Sequence, residues 1–228
     1  MSLRIKGWRR IATWVFWGLV ALFLLIFLIR VISFENAYYD EKEGSERAVA
    51  EAADEPPELD ETEPTEEAIK DYNVAPDRPR YLTIDKLGVK NARVLPMGVN
   101  SKGELDTPRN IFDVGWYEGS SKPGQGGTMI IDGHNGGPTK TGVFKRLPDL
   151  MAGDILQIER GDGVLFEYSV VESVSISLND SDSYMAKAAQ SPEEGIESLT
   201  LISCTGEWSQ SRQTYLSRQF VRAVLVLE

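Results

Sequence analysis

The C-terminal part of the chain, residues 80–228, predicts an all-β domain built as a barrel or a sandwich. Its apolar runs are short, several are rich in β-branched residues, and turn-forming Gly, Pro, Asn and Asp separate them. Short helices are predicted over 142–147 and 183–189. Asp180 and Asp182 precede the second helix and could cap it. The runs that qualify as strands are 81–84, 92–97, 128–132, 155–160, 165–177, 199–204 and 219–227.

Near the N-terminus, residues 11–29, IATWVFWGLVALFLLIFLI, form a run of nineteen residues without a charge. A helix needs about 20 such residues to span a bilayer. Basic residues precede the run and acidic residues follow it, so the positive-inside rule places the N-terminus in the cytoplasm and the remainder outside. A cleaved signal peptide fits less well, because its apolar core is about 7–15 residues long and ends in a small-residue cleavage site. We therefore predict a cytoplasmic basic tail over 1–10 and a transmembrane signal anchor over 11–33.

The segment 34–79 is rich in Glu, Asp, Pro and Ala and carries much of the net charge of −11. Such a segment buries too little apolar surface to offset the entropy of ordering it. We predict an acidic disordered linker that charge repulsion extends. The acidic balance and the lack of a basic patch argue against nucleic-acid binding.

The chain contains one cysteine, Cys204, and one histidine, His134. No internal disulfide can form, and no Cys/His cluster can hold zinc. Outside the cell an unpaired thiol is open to oxidation, so either it is a buried small hydrophobe or it has a chemical role. Cys204 ends the predicted strand LTLISC, and His134 follows the strand TMIID within IDGHNGG. The glycines around His134 favour a position at the end of the sheet rather than in the core.

Three arginines follow Cys204, and they are not equivalent. Arg212 lies in a polar loop, whereas Arg218 and Arg222 fall on the same face of the last predicted strand. If the two strands run antiparallel, Arg218 lies nearest to Cys204, and Arg222 lies about 13 Å further along. A thiol nucleophile, an imidazole acid–base and a cation for developing charge would together support acyl transfer. We therefore select Cys204, His134 and Arg218, with Arg222 as the alternative cation.

Several stretches together resemble the sortases, which are membrane-anchored cysteine transpeptidases. They cover nearly all of residues 80–228, and the class F enzymes are the most similar, with classes D and E next. Ser203 departs from the TLxTC signature by replacing Thr, and Asp132 stands where a small residue is more common. The aspartate–aromatic lid motif of class C enzymes is not found. The stretches are LTIDKLGV, GWYEGSSKPGQGG, TMIIDGHNGG, GVFKRLPDLMAGDILQI, LTLISCTG and RQFVRAVLVL.

This resemblance implies an eight-stranded β-barrel and a two-step transfer. Cys204 would attack the Thr carbonyl of an LPxTG-type sorting signal and form a thioacyl enzyme. His134 would protonate the leaving amine, and Arg218 would bind the substrate and the oxyanion. The expected partners are LPxTG-type proteins, the membrane, and an amine from a lipid II or peptidoglycan cross-bridge or from a pilin lysine. No cofactor and no metal are predicted; the carboxylates of Glu104 and Asp113 have no spacing that requires a metal.

Two other functions remain open at the level of the sequence. An L,D-transpeptidase also uses His, Cys and Arg, but its motif is one tight Ser-His-Gly-Cys-Ile-Arg run, and neither His nor Gly precedes Cys204. A non-catalytic, membrane-anchored β-domain for adhesion or scaffolding would carry Cys204 as a buried thiol. Thiol labelling distinguishes these, because only a reactive cysteine is modified in the folded domain.

Overall fold

The chain divides into two units, Met1–Pro57 and Glu58–Glu228. The computed structural model describes residues 58–100, 103 and 105–227, together with residue 30. The predicted basic tail and signal anchor, residues 1–33, therefore lie almost wholly outside the described residues. Within those residues, no helix has the length and apolar character needed to cross a membrane.

Eight strands close into one barrel, which confirms the predicted mainly-β fold. Around the barrel the order is β1-β2-β3-β4-β7-β8-β6-β5. The pairs β2/β3 and β4/β7 are parallel, and the other neighbours are antiparallel. The strands are β1 (Pro79–Ile84), β2 (Val89–Met97), β3 (Val114–Tyr117), β4 (Thr128–Gly133), β5 (Ile155–Arg160), β6 (Leu165–Ser177), β7 (Ser198–Ser209) and β8 (Thr214–Leu225).

Two short α-helices and two 3₁₀ turns accompany the described strands. Helix α1 spans Glu66–Lys70 and helix α2 spans Ser181–Ala188, close to the predicted 183–189. Asp180 occupies the N-cap position of α2, but its carboxylate accepts a hydrogen bond from Ser177 and makes no side-chain cap. The 3₁₀ turns are Asp85–Leu87 and Leu147–Asp149.

The helix predicted over 142–147 is wrong. That segment forms turns that lead into the 3₁₀ turn Leu147–Asp149. Pro148 disfavours the α-helical conformation of the residue before it, so a helix cannot continue through Leu147.

Strand β3 was not predicted from the sequence. The compact unit also begins before residue 80, where the predicted domain starts. β3 has only four residues and lies within a glycine-dense segment, so it shows no strand periodicity. Part of the predicted acidic linker, residues 58–78, belongs to the compact unit. There Thr65 caps α1, and the Tyr72 hydroxyl donates to the carbonyl of Val94 at 2.6 Å. Composition predicts only the average tendency of the whole segment towards disorder, whereas a few specific contacts are enough to order its C-terminal end.

Alternate residues of β7 face opposite sides of the barrel wall. Leu199 and Leu201 belong to the main core inside the barrel. Ile202 belongs to a second, smaller cluster on the outer side, beneath α2, whose buried members are Ile130, Ala188, Ile202 and Phe220. Cys204 has the same parity as Ile202, so its thiol lies on the outer side of the wall, beyond the end of this cluster.

The outer side of β3 tolerates no side chain at Gly115. A Cβ added there would lie 2.5 Å from Asp132 Oδ1 and 2.7 Å from Met97 Cγ. We predict that Gly115→Ala lowers the free energy of unfolding by about 1–3 kcal/mol, because the packed neighbours must move. Gly98→Ala is the matched control, since no atom lies within 4 Å of a Cβ there. Urea unfolding measures both; equal stability of the two variants would contradict the packing at Gly115.

Candidate active site

Cys204 and Arg218 are direct partners across the antiparallel strands β7 and β8. Residues in such positions have Cβ atoms roughly 4.5–5.5 Å apart and project from the same face of the sheet. The structure therefore places the side chain of Arg218 next to that of Cys204 on the outer side of the barrel, where its charge acts on the thiol. Both residues are partly buried.

His134 reaches the same face from the other side of Cys204. It directly follows β4, which runs parallel to β7 with Gly133 paired to Ser203. The next residue along each strand is His134 on one and Cys204 on the other. Ser203 Oγ donates to the carbonyl of Gly133 at 2.9 Å, and Asn135 Nδ2 donates to the carbonyl of Cys204 at 2.8 Å. These two hydrogen bonds tie the strand ends together on either side of His134.

The imidazole of His134 has one ring nitrogen fixed by the backbone. Nε2 lies 2.7 Å from the carbonyl oxygen of Pro108. A carbonyl oxygen only accepts hydrogen bonds, so we assign the ring hydrogen of neutral His134 to Nε2. Nδ1 then carries the lone pair and is the nitrogen that can take up or deliver a proton.

Burial keeps both of these groups in their neutral forms. It raises the pKa of the Cys204 thiol; the positive charge of Arg218 opposes that shift, and Asp132 adds to it. Burial lowers the pKa of His134, against the effect of the hydrogen bond to Pro108. Because the two pKa values move apart, neutral thiol and neutral imidazole dominate near pH 7, and the thiolate–imidazolium pair is a minor form.

The guanidinium of Arg218 is held by neutral acceptors. Nη1 donates to the carbonyls of Tyr215 at 3.0 Å and Ser217 at 3.1 Å, and Nη2 donates to the hydroxyl of Thr214 at 3.2 Å. Among the residues that the structure describes, no carboxylate forms an ion pair with Arg218. Its positive charge is therefore oriented but not neutralised, as stabilisation of developing negative charge requires.

Arg222 and Arg212 have other partners. Arg222 is 5% exposed, and its Nη1 contacts Glu172 Oε2 at 2.6 Å. Its Nη2 also donates to the carbonyl of Gln190 at 2.9 Å, so Arg222 fastens the chain after α2 to the barrel. Arg212 is exposed and donates to Asn179 at 3.3 Å. Of the three arginines, only Arg218 is paired with Cys204.

Comparison with known proteins supplies the family. The profile of the sortase domain matches residues 82–226. The chain belongs to the sortase family. As a sortase it is a cysteine transpeptidase. The two alternatives that the sequence left open, an L,D-transpeptidase and a non-catalytic domain, are therefore set aside. A search of curated proteins found no match.

Solved sortase structures of several classes are similar to this sortase. Sortase C1 of Streptococcus agalactiae is 23% identical, with a TM-score of 0.50, and the match covers 72% of this chain and 78% of that one. A sortase D5 transpeptidase of Clostridium perfringens is 22% identical, with a TM-score of 0.46, over 72% of this chain and 89% of that one. A lid mutant of sortase A of Corynebacterium diphtheriae is 23% identical, with a TM-score of 0.45, over 64% and 69%.

Asp132 is a further carboxyl group on the active face of this sortase. It precedes His134 by two residues, so both project from the same side of the chain, and it is paired with Ile202 of β7. Its Oδ2 accepts a hydrogen bond from the Thr107 hydroxyl at 2.8 Å. Burial raises the pKa of Asp132 to about 7. In the sequence, Asp132 stood out only as a residue unusual for the family. Its spacing of two residues from His134, which puts both side chains on one side of the chain, was the signal that could have placed it at the site.

Of the two carboxylates considered for a metal, the structure describes only Asp113. Asp113 is buried and makes two hydrogen bonds with Arg93, at 2.8 and 2.7 Å. Glu104 lies outside the described residues. In the described ranges, no three Cys, His, Asp or Glu residues are grouped as a metal site would require.

We predict that Arg218→Ala and Arg222→Ala affect different properties of the enzyme, the first its activity and the second its stability. Arg218→Ala should reduce kcat/KM for a peptide substrate by about 100-fold or more, because an oriented donor is lost, with little change in stability. Arg222→Ala should lower the free energy of unfolding by about 2 kcal/mol, because the carbonyls of Lys187 and Gln190 lose a donor and Glu172 loses one of its two cationic partners. Peptide kinetics and urea unfolding measure the two effects. An Arg222→Ala variant that keeps its stability but loses activity would contradict this division.

We predict that the charge of Asp132 changes the reactivity of the Cys204 thiol in a pH-dependent way. Above pH 7 its carboxylate is ionised, lies roughly 7–8 Å from Cys204 along the sheet diagonal, and opposes the thiolate. At an effective dielectric of about 40 this repulsion is about 1 kcal/mol. Asp132→Asn should therefore speed alkylation of Cys204 about two- to five-fold at pH 8 and change it little at pH 6, where Asp132 is protonated. Asp149→Asn, an exposed carboxylate in a 3₁₀ turn, is the control; an effect independent of pH would contradict the charge argument.

Proposed function

We propose that this sortase cleaves an LPxTG-type sorting signal between Thr and Gly and transfers the new acyl group to an amine. One observation carries the proposal: Cys204 and Arg218 are paired on β7 and β8, His134 directly follows β4 beside Cys204, and all three project from one face. A nucleophile, a proton carrier and a fixed cation are the three groups that acyl transfer needs. The family assignment supports the same chemistry, since sortases are cysteine transpeptidases.

In the first step the thiolate of Cys204 attacks the carbonyl carbon of the substrate Thr. The carbonyl oxygen becomes an oxyanion, and Arg218 stabilises it. His134, as imidazolium, delivers the proton on Nδ1 to the leaving amine of Gly as the C–N bond breaks. The products of this step are a thioester on Cys204, a neutral imidazole and a free amine.

In the second step an incoming amine attacks the thioester. The amine gives up a proton to Nδ1 of His134, the C–S bond breaks, and the thiolate of Cys204 leaves. The site therefore begins and ends the cycle in the same ionisation state, with Cys204 as thiolate and His134 as imidazolium. Because burial makes this pair a minor form, a small fraction of the enzyme is competent at any moment, and that fraction sets the rate.

The charge pattern of the sequence supports a proposal for the cellular setting. A signal anchor over residues 11–33, with the N-terminus in the cytoplasm, would hold the catalytic domain outside the cell, on the linker that follows. There the substrates would be surface proteins with sorting signals, and the acceptor would be a cell-wall cross-bridge amine or a pilin lysine. The GWYEGSSKPGQGG stretch and the compact length support assignment to class F.

The test uses the full chain in detergent with an LPxTG-containing peptide and two acceptors, triglycine and a lysine peptide. Mass spectrometry should show cleavage between Thr and Gly and a product joined to the acceptor. Cys204→Ala should reduce the product to background, because the chain contains no other thiol. A peptide with the same composition in scrambled order is the substrate control. Absence of cleavage, or cleavage that persists in Cys204→Ala, would overturn the proposal.

A further inference from the structure

A short acidic segment lies between the two loops that hold His134. We name this segment, residues 60–62, the acidic strap. The ring loop, residues 108–111, contains the carbonyl that fixes the imidazole. The glycine loop, residues 135–141, directly follows His134. The strap belongs to the region that composition assigned to a disordered linker, yet it contacts both loops.

On one side the strap pairs with the ring loop as an extended chain. Asp60 N donates to the carbonyl of Arg109 at 2.8 Å, and Ile111 N donates to the carbonyl of Asp60 at 3.0 Å. The Asn110 side chain adds two hydrogen bonds, to Asp60 Oδ2 at 3.0 Å and to the carbonyl of Thr62 at 2.8 Å. The strap therefore fixes the backbone of the residue that follows Pro108.

On the other side Glu61 binds the tip of the glycine loop. Its Oε1 accepts hydrogen bonds from the backbone N–H groups of Thr139 at 2.8 Å and Lys140 at 2.9 Å, and its Oε2 accepts one from the Thr139 hydroxyl. Lys140 Nζ donates to the carbonyl of Glu61 at 2.9 Å. The carboxylate also packs against Gly137, where a Cβ would collide with Glu61 Oε1.

The ring loop contacts the imidazole, and the glycine loop holds the backbone that follows His134. Pro108 of the ring loop accepts the hydrogen bond from Nε2 of His134. The glycine loop folds back on itself, with Gly137 N donating to the carbonyl of Lys140 at 2.9 Å and Gly142 N to that of Asn135 at 2.8 Å. The backbone of His134 is thereby fixed from its C-terminal side. A movement of either loop changes where Nδ1 points relative to Cys204.

We propose that the acidic strap positions His134 and that Glu61 is its principal positioning residue. This inference rests on the proposed function only in so far as turnover serves as one of its readouts. Glu61 does not touch the thiol or the imidazole; its carboxylate acts through the glycine loop, whereas Asp60 and Thr62 hold the ring loop. Hydrogen bonds from Thr139 and Lys140 hold the pKa of Glu61 below its usual value, so the carboxylate is ionised at neutral pH.

The single histidine and single cysteine of the chain make this inference measurable without substrate. The full chain is labelled with ¹³C at histidine Cε1, which gives one imidazole signal, from His134. We compare wild type, Glu61→Gln, Glu61→Ala and the control Glu63→Ala, which removes an exposed carboxylate two residues further along. The measurements are the His134 signal against pH, peptide kinetics, and the thermal unfolding midpoint.

We expect Glu61→Ala to shift or broaden the His134 signal, to lower kcat roughly ten- to a hundred-fold, and to leave KM within about two-fold, since a small misplacement of a catalytic group is costly. Glu61→Gln keeps one acceptor oxygen and should lie between Glu61→Ala and wild type. Glu63→Ala should match wild type in every measurement.

An unchanged His134 signal and an unchanged kcat in Glu61→Ala would overturn the inference. A loss of kcat that only parallels a lower unfolding midpoint, with the His134 signal of wild type, would also overturn it and leave a purely structural role. If wild type fails to turn over the peptide, the proposed function fails, whereas the His134 signal still decides the role of the strap.

Discussion

The parallel register between β4 and β7 is the constraint on which the site depends. Pairing of Gly133 with Ser203 makes His134 and Cys204 neighbours, although seventy positions separate them in the chain. A slip of one residue in either strand would move its side chain to the barrel interior, because faces alternate along a strand. The side chains of Ser203 and Asn135 fix this register, because each forms a hydrogen bond across the strand ends. Ser203, which differs from the Thr usual in the family signature, still supplies the hydroxyl that does so.

Position on the outer side of the barrel wall explains the electrostatics of the site. Burial of Cys204 there favours the thiol over the thiolate. The same environment favours the neutral imidazole. Arg218 offers the opposing influence, and its neutral hydrogen-bond partners leave its charge available. Among the residues that the structure describes, Arg218 is thus a cation without a carboxylate partner, whereas Arg222, on the same face of β8, is paired with Glu172.

Much of this arrangement could be predicted from the sequence. Strands β5 and β6 were bounded correctly, because apolar and β-branched residues dominate them and turn residues flank them. The antiparallel partnership of Cys204 with Arg218 followed from strand parity and distance. What could not be predicted depends on long-range contact. The short strand β3 exists because β2 and β4 flank it, and the acidic strap is ordered because the ring loop, some fifty residues away, bonds to Asp60 and the glycine loop, some eighty residues away, donates to Glu61. Neither feature has a local signature.

The separation in sequence of the three groups also bears on when the enzyme becomes reactive. Contacts between distant segments form late in folding, since the entropy of closing long loops must be overcome first. In the nascent chain Cys204 has neither His134 nor Arg218 beside it and behaves as an ordinary thiol. Its chemistry emerges only when the β4/β7 and β7/β8 pairings are both complete. Catalytic competence of Cys204 therefore waits for both pairings, and closure of the barrel is itself the activating event.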